Sequence, residues 1–331
     1  MRSLILSTVL LLLAGALLAY LWGGTEAAFA AVVLALLEIS LSFDNAVVNA
    51  VVLSRMNRAW QDRFLSWGIP IAVFGTRFLF PLAIVAVVAS LSPLAVLRLA
   101  LFNGAAYGAE LEKAHVAIAA FGGAFLLMVF LSFFLNDEKR IHWLRIFEHW
   151  LSKIGELESA PLIAGSSFVL LFSMALGAGE GSVVLQSGLT GLLIFILIKS
   201  FTAFLENREK RMIAAHAGLS LFIYLQFLDA SFSLDSVIGA FAINSDIIII
   251  ALGLGIGAFV VRSLTLFFVR LGTLSEYLYL EHGAHYAIGA LAFLMFLSIP
   301  FRISEVFTGT IGILFIGAAL LSSLIERRSR S

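Results

Sequence analysis

The sequence contains no cysteine at all and only five prolines in 331 residues. The absence of cysteine excludes a disulfide framework and a thiolate metal site. Charged residues are also scarce, at 13% of the chain, against about 25% in a soluble globular domain. The formal net charge is zero at pH 7, which argues against nucleic acid as a partner, because proteins that bind nucleic acid carry basic patches.

Apolar residues make up 61% of the chain, and the mean hydropathy is +1.04. Apolar runs of about 20 residues, long enough to cross a bilayer as a helix, recur along the sequence. This pattern predicts an all-α, polytopic transmembrane helical bundle in a single integral membrane domain, residues 1–331. We interpret the first run as an uncleaved helix, because it is longer than the apolar core of a signal peptide. About ten spans are expected, near residues 3–22, 27–54, 66–91, 114–135, 161–178, 183–205, 214–243, 247–270, 284–300 and 303–325.

The basic residues between these spans indicate an orientation. If the N-terminus is cytoplasmic, most loop lysines and arginines also fall inside, as the positive-inside rule requires. We therefore expect a cell (inner) membrane protein with both termini in the cytoplasm. Residues 136–160 then form a cytoplasmic amphipathic loop, in which Trp143, Phe147 and Trp150 suit a helix lying on the membrane surface.

Two polar stretches interrupt the apolar pattern, "EISLSFDNAVVNA" in the second span and "DASFSLDSVIGAF" in the seventh. Further matches in the same order pair Arg77 with Arg262, and the Glu-x-x-His and Glu-x-x-x-His stretches that end at His115 and His285. These matches predict an internal duplication, with repeat A at about 27–135 and repeat B at about 214–300. At an offset of 191 residues the polar positions of the two stretches coincide: Glu38 with Asp229, Ser40 with Ser231, Ser42 with Ser233, Asp44 with Asp235, and Asn45 with Ser236.

The matched spans are the second with the seventh, the third with the eighth, and the fourth with the ninth. Because this shift is odd, the two repeats should run through the membrane in opposite directions. Many secondary transporters have such an inverted-topology repeat and bind their substrate at mid-bilayer between the repeats. The acidic motifs begin about ten to twenty residues into their spans, which at about 1.5 Å per residue is roughly mid-membrane.

Acids at this depth need compensation, because four unpaired carboxylates would cost on the order of 10 kcal/mol. Protons, the in-span arginines or a bound cation could supply it. Carboxylate, amide and hydroxyl oxygens are the ligands of hard divalent cations such as Mg²⁺, Ca²⁺ and Mn²⁺. The cation would be a substrate, so no resident cofactor is expected. The predicted metal site comprises Glu38, Asp44, Asn45, Asp229, Asp235 and Ser236, supported by Ser42, Ser233, Arg77 and Arg262.

Several interpretations of these residues stay open at this point. The two motif helices either unwind near Ser42 and Ser233, or keep their shape and use only one acid of each pair directly. The acids could instead bond only to serines and arginines and hold the bundle together. His115 and His285 are candidates for a proton relay, because histidine titrates near neutral pH, although interfacial hydrogen bonding is the plainer interpretation.

The paired motifs resemble the TerC family of integral membrane proteins, and most closely its branch described as domain of unknown function 475. The resemblance extends over about residues 30–300 and rests on "EISLSFDNAVVNA" and "DASFSLDSVIGAFAI…RSLT". That family is linked by name to tellurium resistance, includes members regarded as manganese exporters, and is grouped with the LysE-type transporters. The resemblance implies efflux of a metal ion, with Mn²⁺ the leading candidate, through the six predicted ligands.

The leading functional hypothesis is therefore a secondary transporter that exports a divalent cation, in exchange for protons. An enzyme is not expected: the His-Glu-x-x-His motif of zinc proteases and the Gly-x-Gly-Asp element of intramembrane aspartyl proteases are both absent. A further alternative is a membrane scaffold, or a subunit of a metal or tellurium stress complex. Such a scaffold would bind cytoplasmic stress proteins through residues 136–161. The sequence does not indicate the oligomeric state.

Overall fold

The structure, a computed structural model, describes residues 2–136, 141–155, 157, 159–209, 217–270, 277–301, 303 and 305–330. Within these ranges the side chains of some residues lie outside the description, and Asp235 is one of them. Most of the described residues are helical and none of them forms a strand, which confirms the predicted all-α bundle.

The first half of the chain contains nine α-helices and one π-helical segment among its described residues. In chain order they are α1 (Arg2–Leu41), α2 (Phe43–Leu53), α3 (Arg58–Ser66), α4 (Gly68–Pro70), the π-helical segment (Ile71–Leu79), α5 (Phe80–Val88), α6 (Pro93–Phe102), α7 (Gly104–Lys113), α8 (His115–Phe134) and α9 (Arg145–Ile154). The second half contains α10 (Ala160–Ala175), α11 (Ala178–Glu209), α12 (Ala217–Ile243), α13 (Ile247–Arg270), α14 (Leu280–Leu297) and α15 (Glu305–Arg330).

Seven helices among the described residues are long and apolar enough to cross a membrane. This number and their composition fit a multi-pass membrane protein. Their lipid-facing character is plainest near the start of the chain, where Leu13 and Leu21 of α1 are 63% and 72% exposed. The seven segments are Thr8–Leu41, Gly68–Val88, His115–Phe134, Ala178–Phe201, Ile247–Arg270, Leu280–Leu297 and Phe307–Arg328.

The first two predicted spans are joined in one long helix with a kink. Gly23 and Gly24 interrupt α1 with non-helical backbone angles, and Gly24 adopts φ 76°, which favours glycine over residues with a side chain. The second predicted span covers the last part of α1 and, after Ser42, the whole of α2. A loop was expected between the first two spans, and the chain makes a bend instead.

The fifth and sixth predicted spans are two separate helices, α10 and α11. A Cβ on Gly188 would meet Val169, and a Cβ on Gly181 would meet the backbone of Ser173. Later residues of α11 therefore contact earlier residues of α10, so the two helices form an antiparallel hairpin. The glycines near position 177 mark a turn and not a break within one helix.

Two helix pairs define the centre of the bundle. The second half of α1 packs in parallel on α13, where Leu34 and Glu38 lie against Gly253 and Gly257. Helices α8 and α14, which are equivalent in the predicted duplication, are antiparallel: Gly122 meets Met295 while Phe130 meets Gly289. A core of Phe125, Phe195, Phe296 and their neighbours fills the space around α8.

Candidate functional site

Two buried ion pairs occupy equivalent positions in the two predicted repeats, one pair within each repeat. A guanidinium nitrogen of Arg77 donates to Glu38, and Arg262 donates to Asp229 over 2.6 Å. Arg77 is also attracted by Asp229, so these four side chains form one electrostatic cluster, called here the tetrad. Of the three ways of compensating the acids that the sequence left open, the in-span arginines therefore supply it for Glu38 and Asp229. The tetrad holds two positive and two negative charges, so it is neutral as a whole.

Local backbone geometry positions the first of these pairs. Arg77 lies in the π-helical segment, whose wider turn lets its guanidinium also donate to the Ala72 carbonyl over 3.1 Å. Glu38 approaches α13 at Gly257, where a Cβ would lie 2.5 Å from Glu38 Cβ. Glycine at this position is therefore required for the close approach of the acid. Ser42 completes the arrangement by donating to Glu38 over 3.1 Å.

The second pair is enclosed by polar and aromatic groups. Arg262, which is 1% exposed, also donates to Gln226 over 3.2 Å and stacks its guanidinium 4.6 Å from the centre of the Phe64 ring. Asp229 accepts a long hydrogen bond of 3.4 Å from Asn49 Nδ2. These contacts keep both charges fully within the bundle, where leaving either without its partner would cost several kcal/mol.

The first motif helix is broken and the second is continuous. Ser42 separates α1 from α2 with φ −98° and ψ 17°, whereas α12 passes through Ser233 without interruption. The Ser233 hydroxyl donates to the Asp229 carbonyl one turn earlier, a bond that a continuous helix accommodates. Of the two alternatives left open by the sequence, a departure from helical geometry is found only at Ser42, as a local kink that keeps the backbone bonds of Ser42 N–H to Glu38 and of Ala46 N–H to Ser42.

The break at Ser42 turns Asp44 and Asn45 towards a small cavity. Asp44 accepts from the backbone N–H of Asn45 over 2.9 Å, and its carboxylate packs against Gly312 of α15. No arginine or lysine of the described residues is within ion-pairing distance of Asp44. The cavity, called here the Asp44 cavity, has a volume of about 50 Å³ and is lined by Leu41, Ser42, Asp44, Asn45, Phe232, Ser236, Leu291, Thr308 and Gly309.

The structure thus divides the six predicted ligands into groups. Asp44, Asn45 and Ser236 surround the Asp44 cavity, with Ser42 beside them. Glu38 and Asp229 belong to the tetrad, where their carboxylates already accept from arginine. The Asp235 side chain lies outside the described residues, and among those described no group of three or more His, Asp or Glu is arranged to hold a metal.

The chemistry of the Asp44 cavity suits a small hard cation. Its polar lining provides one carboxylate, one amide and several hydroxyl oxygens, which are the donor types of oxygen-bound divalent ions. On the same measure, the space open to the centre of a water-sized sphere, one water molecule needs about 10–15 Å³, so the cavity exceeds that minimum. The cavity is therefore large enough for a small ion.

Two larger cavities lie at opposite ends of the bundle. The first, called here the vestibule, has a volume of about 840 Å³ and is lined by the start of α8, the end of α12 and the end of α14, with Glu112, His115 and Ser298 among its residues. The second, called here the basin, measures about 1080 Å³ and is lined by the ends of α2 and α13 and the start of α14. Because α14 contributes Leu294 to the vestibule and Glu281 to the basin, the two cavities face opposite ends of this helix.

The two predicted relay histidines occupy different surroundings. His115 lines the vestibule, and its Nε2 lies 3.4 Å from the Ser298 hydroxyl. His285 bonds to the Glu281 carbonyl over 2.7 Å and stacks on the Phe133 ring at 3.7 Å. It is absent from the lining of both the vestibule and the basin. The arrangement of His285 is that of an interfacial packing residue.

Sequence reasoning missed several residues of the site. Gly312, Thr308 and Gly309 contact Asp44 or line its cavity, but α15 lies outside both predicted repeats. Asn49 was hidden within an apolar run, although its spacing of four residues from Asn45 places both amides on one helical face. A periodicity check within α2 would have identified Asn49, whereas the glycines of α15 carry no signal of their own.

Comparison with known proteins places the chain in a family. A search of curated proteins and a search of solved structures both returned no match. A family model described as "Protein of unknown function (DUF475)" matches residues 43–330, from the start of α2 to the end of α15. The matched region includes Asp44, Asn45 and Ser236 of the Asp44 cavity, both arginines of the tetrad, the vestibule and the basin. The chain therefore belongs to the DUF475 family of proteins of unknown function.

Proposed function

We propose that this protein is a secondary transporter that carries a divalent metal cation through the membrane, with the Asp44 cavity as its binding site. The observation that carries the proposal is the position of Asp44: a buried carboxylate, without an arginine or lysine partner among the described residues, beside an oxygen-lined cavity of ionic size. Buried charges in membrane spans are usually paired or functional. A mobile cation is the partner that Asp44 lacks.

The neutral tetrad strengthens this assignment. Because Arg77 and Arg262 compensate Glu38 and Asp229, the ion does not have to compensate these two acids. The proposed ligands are therefore Asp44, Asn45 and Ser236, with Ser42 in support, and Glu38 and Asp229 hold the surrounding helices. This is a smaller ligand set than the six residues that the sequence suggested.

The ligand chemistry narrows the choice of ion. Oxygen ligands favour Mg²⁺, Ca²⁺ and Mn²⁺ over Cu⁺, which prefers sulfur. The resemblance of the motifs to the TerC family favours Mn²⁺ among these, and favours export. Exchange for protons would drive export from the cytoplasm, in an inner membrane orientation with both termini cytoplasmic. No chemical reaction on the ion is proposed.

Ion flux in proteoliposomes tests the proposal directly. Purified protein is reconstituted around a fluorophore quenched by Mn²⁺, and uptake is measured with and without a pH gradient. We expect Mn²⁺ flux from the parent protein and a loss of at least about tenfold in Asp44→Asn, because one charged ligand is worth more than about 1.4 kcal/mol. Parallel assays with Ca²⁺, Mg²⁺ and Zn²⁺ identify the ion.

Glu110→Gln is the matched control, since Glu110 pairs with Lys113 on α7 and does not line the Asp44 cavity. This variant should retain parental flux. Equal flux in Asp44→Asn and the parent would refute the assignment of the site, and no flux of any of the four ions in the parent would refute the transport function.

The alternative is a scaffold or subunit of a metal or tellurium stress complex. One observation favours it: α9 presents exposed apolar side chains, with Ile146 at 91% and Trp150 at 71% exposure. Cytoplasmic stress proteins could dock on these side chains, but a membrane surface would cover them equally well. Absence of flux combined with specific binding of such proteins to residues 141–155 would favour the scaffold.

A further inference from the structure

The Asp44 cavity adjoins the vestibule. Thr308 lines both cavities, and two other helices pass directly from one to the other: α12 from Ser236 to Ile238, and α14 from Leu291 to Leu294. At about 1.5 Å per residue these steps are about 3 Å and 4.5 Å along the helix axes. An ion in the Asp44 cavity is therefore only a short distance from the wide space at this end of the bundle.

The basin is separated from the Asp44 cavity by buried side chains. Along α2, the cavity residue Asn45 is followed by fully buried Asn49 before the basin residue Val51. Along α12, Asp229 precedes the cavity residue Phe232 on the basin side. Asn49 and Asp229 meet across this layer, with Arg262 bonded to Asp229. A cation moving towards the basin would have to pass this layer and its guanidinium.

Two ion pairs join the predicted repeats around the basin. Arg55 at the end of α2 donates to Glu281 at the start of α14, and Arg270 at the end of α13 lies 3.4 Å from Asp62 of α3. Each pair takes one residue from repeat A and one from repeat B.

From these observations we propose that the ion exchanges between the Asp44 cavity and one face of the membrane through the vestibule, past Thr308, while the basin side is closed. This proposal rests on the function proposed above and identifies the route by which the ion reaches the Asp44 cavity. Glu112 and His115 line the vestibule, so an incoming cation meets a carboxylate and an imidazole before the Asp44 cavity. Asn49 Oδ1, a buried acceptor without a hydrogen-bond partner among the described residues, is the next oxygen on the way to the basin.

Single introduced thiols test the route without relying on flux. The parent chain has no cysteine, so each variant carries one reactive group. Thr308→Cys reports the Asp44 cavity, Ser298→Cys the vestibule and Ser54→Cys the basin. Each is treated with a membrane-impermeant, positively charged thiol reagent in right-side-out and in inside-out vesicles, and labelling rates are compared.

We expect Thr308→Cys and Ser298→Cys to react from the same face, and Ser54→Cys from the opposite face. Saturating Mn²⁺ should slow the labelling of Thr308→Cys by more than about tenfold, as competition for one site predicts. Labelling of Ser54→Cys should not change. If Thr308→Cys does not fold, Leu291→Cys replaces it, because Leu291 also lines the Asp44 cavity.

Labelling of Thr308→Cys from the face that labels Ser54→Cys would overturn the route. So would a Thr308→Cys variant that is folded and inert while Ser298→Cys reacts. Labelling from the expected face without protection by Mn²⁺, Ca²⁺ or Mg²⁺ gives a different result: the route stands as a solvent passage, and the cation site of the proposed function fails.

Discussion

The carboxylate of Asp44 occupies space that exists only because residue 312 is glycine. A Cβ at this position would overlap the carboxylate, which has little freedom to move because it also accepts from the Asn45 N–H. A methyl group at residue 312 should therefore displace the proposed ligand without changing its charge. Position 312 connects α15 to the function of the site, although this helix lies outside the predicted duplication.

We predict that Gly312→Ala lowers the apparent affinity for the transported ion by about tenfold, which corresponds to about 1.4 kcal/mol. The displaced carboxylate loses its alignment with the amide and hydroxyl oxygens. Gly317→Ala is the matched control on the same helix, because a Cβ at Gly317 has nothing within 4 Å. Both variants are compared by concentration-dependent flux in proteoliposomes, and equal affinities would contradict the assigned role of Asp44.

The tetrad gives a prediction of stability. Arg262→Met removes the partner of Asp229 and leaves a buried carboxylate without compensation, at a cost of about 3–5 kcal/mol. We expect a large fall in the unfolding temperature in detergent, measured by intrinsic fluorescence. The double variant Arg262→Met with Asp229→Leu should recover most of this loss, because no charge remains unpaired. If the double variant is no more stable than the single one, the ion pair is not what Arg262 contributes.

These residues show how far the sequence could predict the site. The repeated acids and in-span arginines were visible because charge in an apolar run is rare, and spacing indicated their faces. The pairing was not visible, since the partner of each acid depends on how α1, α12, α13 and the π-helical segment cross. The sequence therefore indicated six equivalent ligands, whereas the fold places Glu38 and Asp229 in ion pairs and Asp44 beside a cavity.

At the level of the helices, the predicted amphipathic loop contains the short helix α9, whose residue Glu148 is buried against the bundle. Glu148 is 1% exposed and accepts from the backbone N–H groups of Trp143 and Leu144 and from the Tyr286 hydroxyl. It also lies 3.4 Å from His282 Nε2 of α14. The sequence predicted the surface helix from its aromatic residues but gave no sign that Glu148 fastens it to the bundle.

We predict that Glu148→Gln loosens α9 from α14, because an amide group accepts more weakly than a carboxylate and brings N–H donors towards the helix N-terminus. Hydrogen exchange of the amides in Arg145–Ile154 should become faster, while the amides of α8 should not change. His149→Gln, at the neighbouring exposed position, serves as the control. Unchanged exchange in Glu148→Gln would show that α9 is held by other contacts.

Prediction at this level was right for the helical bundle but not for the number of spans: about ten were expected, and seven of the described helices are long and apolar enough to cross a membrane. It was less successful at the ends and breaks of helices. The join between the first two spans depends on a kink at Gly23 and Gly24, and the turn at Gly177 on contacts between α10 and α11. Ser42 and Ser233 are equivalent in sequence, so the difference between them must come from the helices that pack around each one.

For the molecule as a whole, the ion pairs at the basin hold together parts of the chain that a transport cycle would have to separate. The Arg55 and Glu281 side chains are 57% and 37% exposed, so this pair is worth no more than about 1 kcal/mol. Such a weak contact can bias an equilibrium between two conformations without locking it. It therefore suits a closure that must open in every cycle.

We predict that Arg55→Glu shifts the population towards the conformation open at the basin, by up to about fivefold, as about 1 kcal/mol allows. Labelling of Thr308→Cys from the vestibule side should slow in proportion to the fraction of molecules that leave the vestibule-open conformation. The charge-reversed pair Arg55→Glu with Glu281→Arg should restore the parental rate. If the reversed pair behaves like the single variant, the ion pair does not contribute to closure.

The break at Ser42, found in one motif helix and not in its counterpart, has an energetic consequence. Two identical halves exchanging roles would make the inward-facing and outward-facing forms related by a two-fold rotation, equal in free energy and equally populated at rest. With a hinge in only one half, the two forms differ in free energy. For the transport function proposed above, the ion-free protein should then prefer one of the two forms, and binding of the ion would have to offset this difference in free energy.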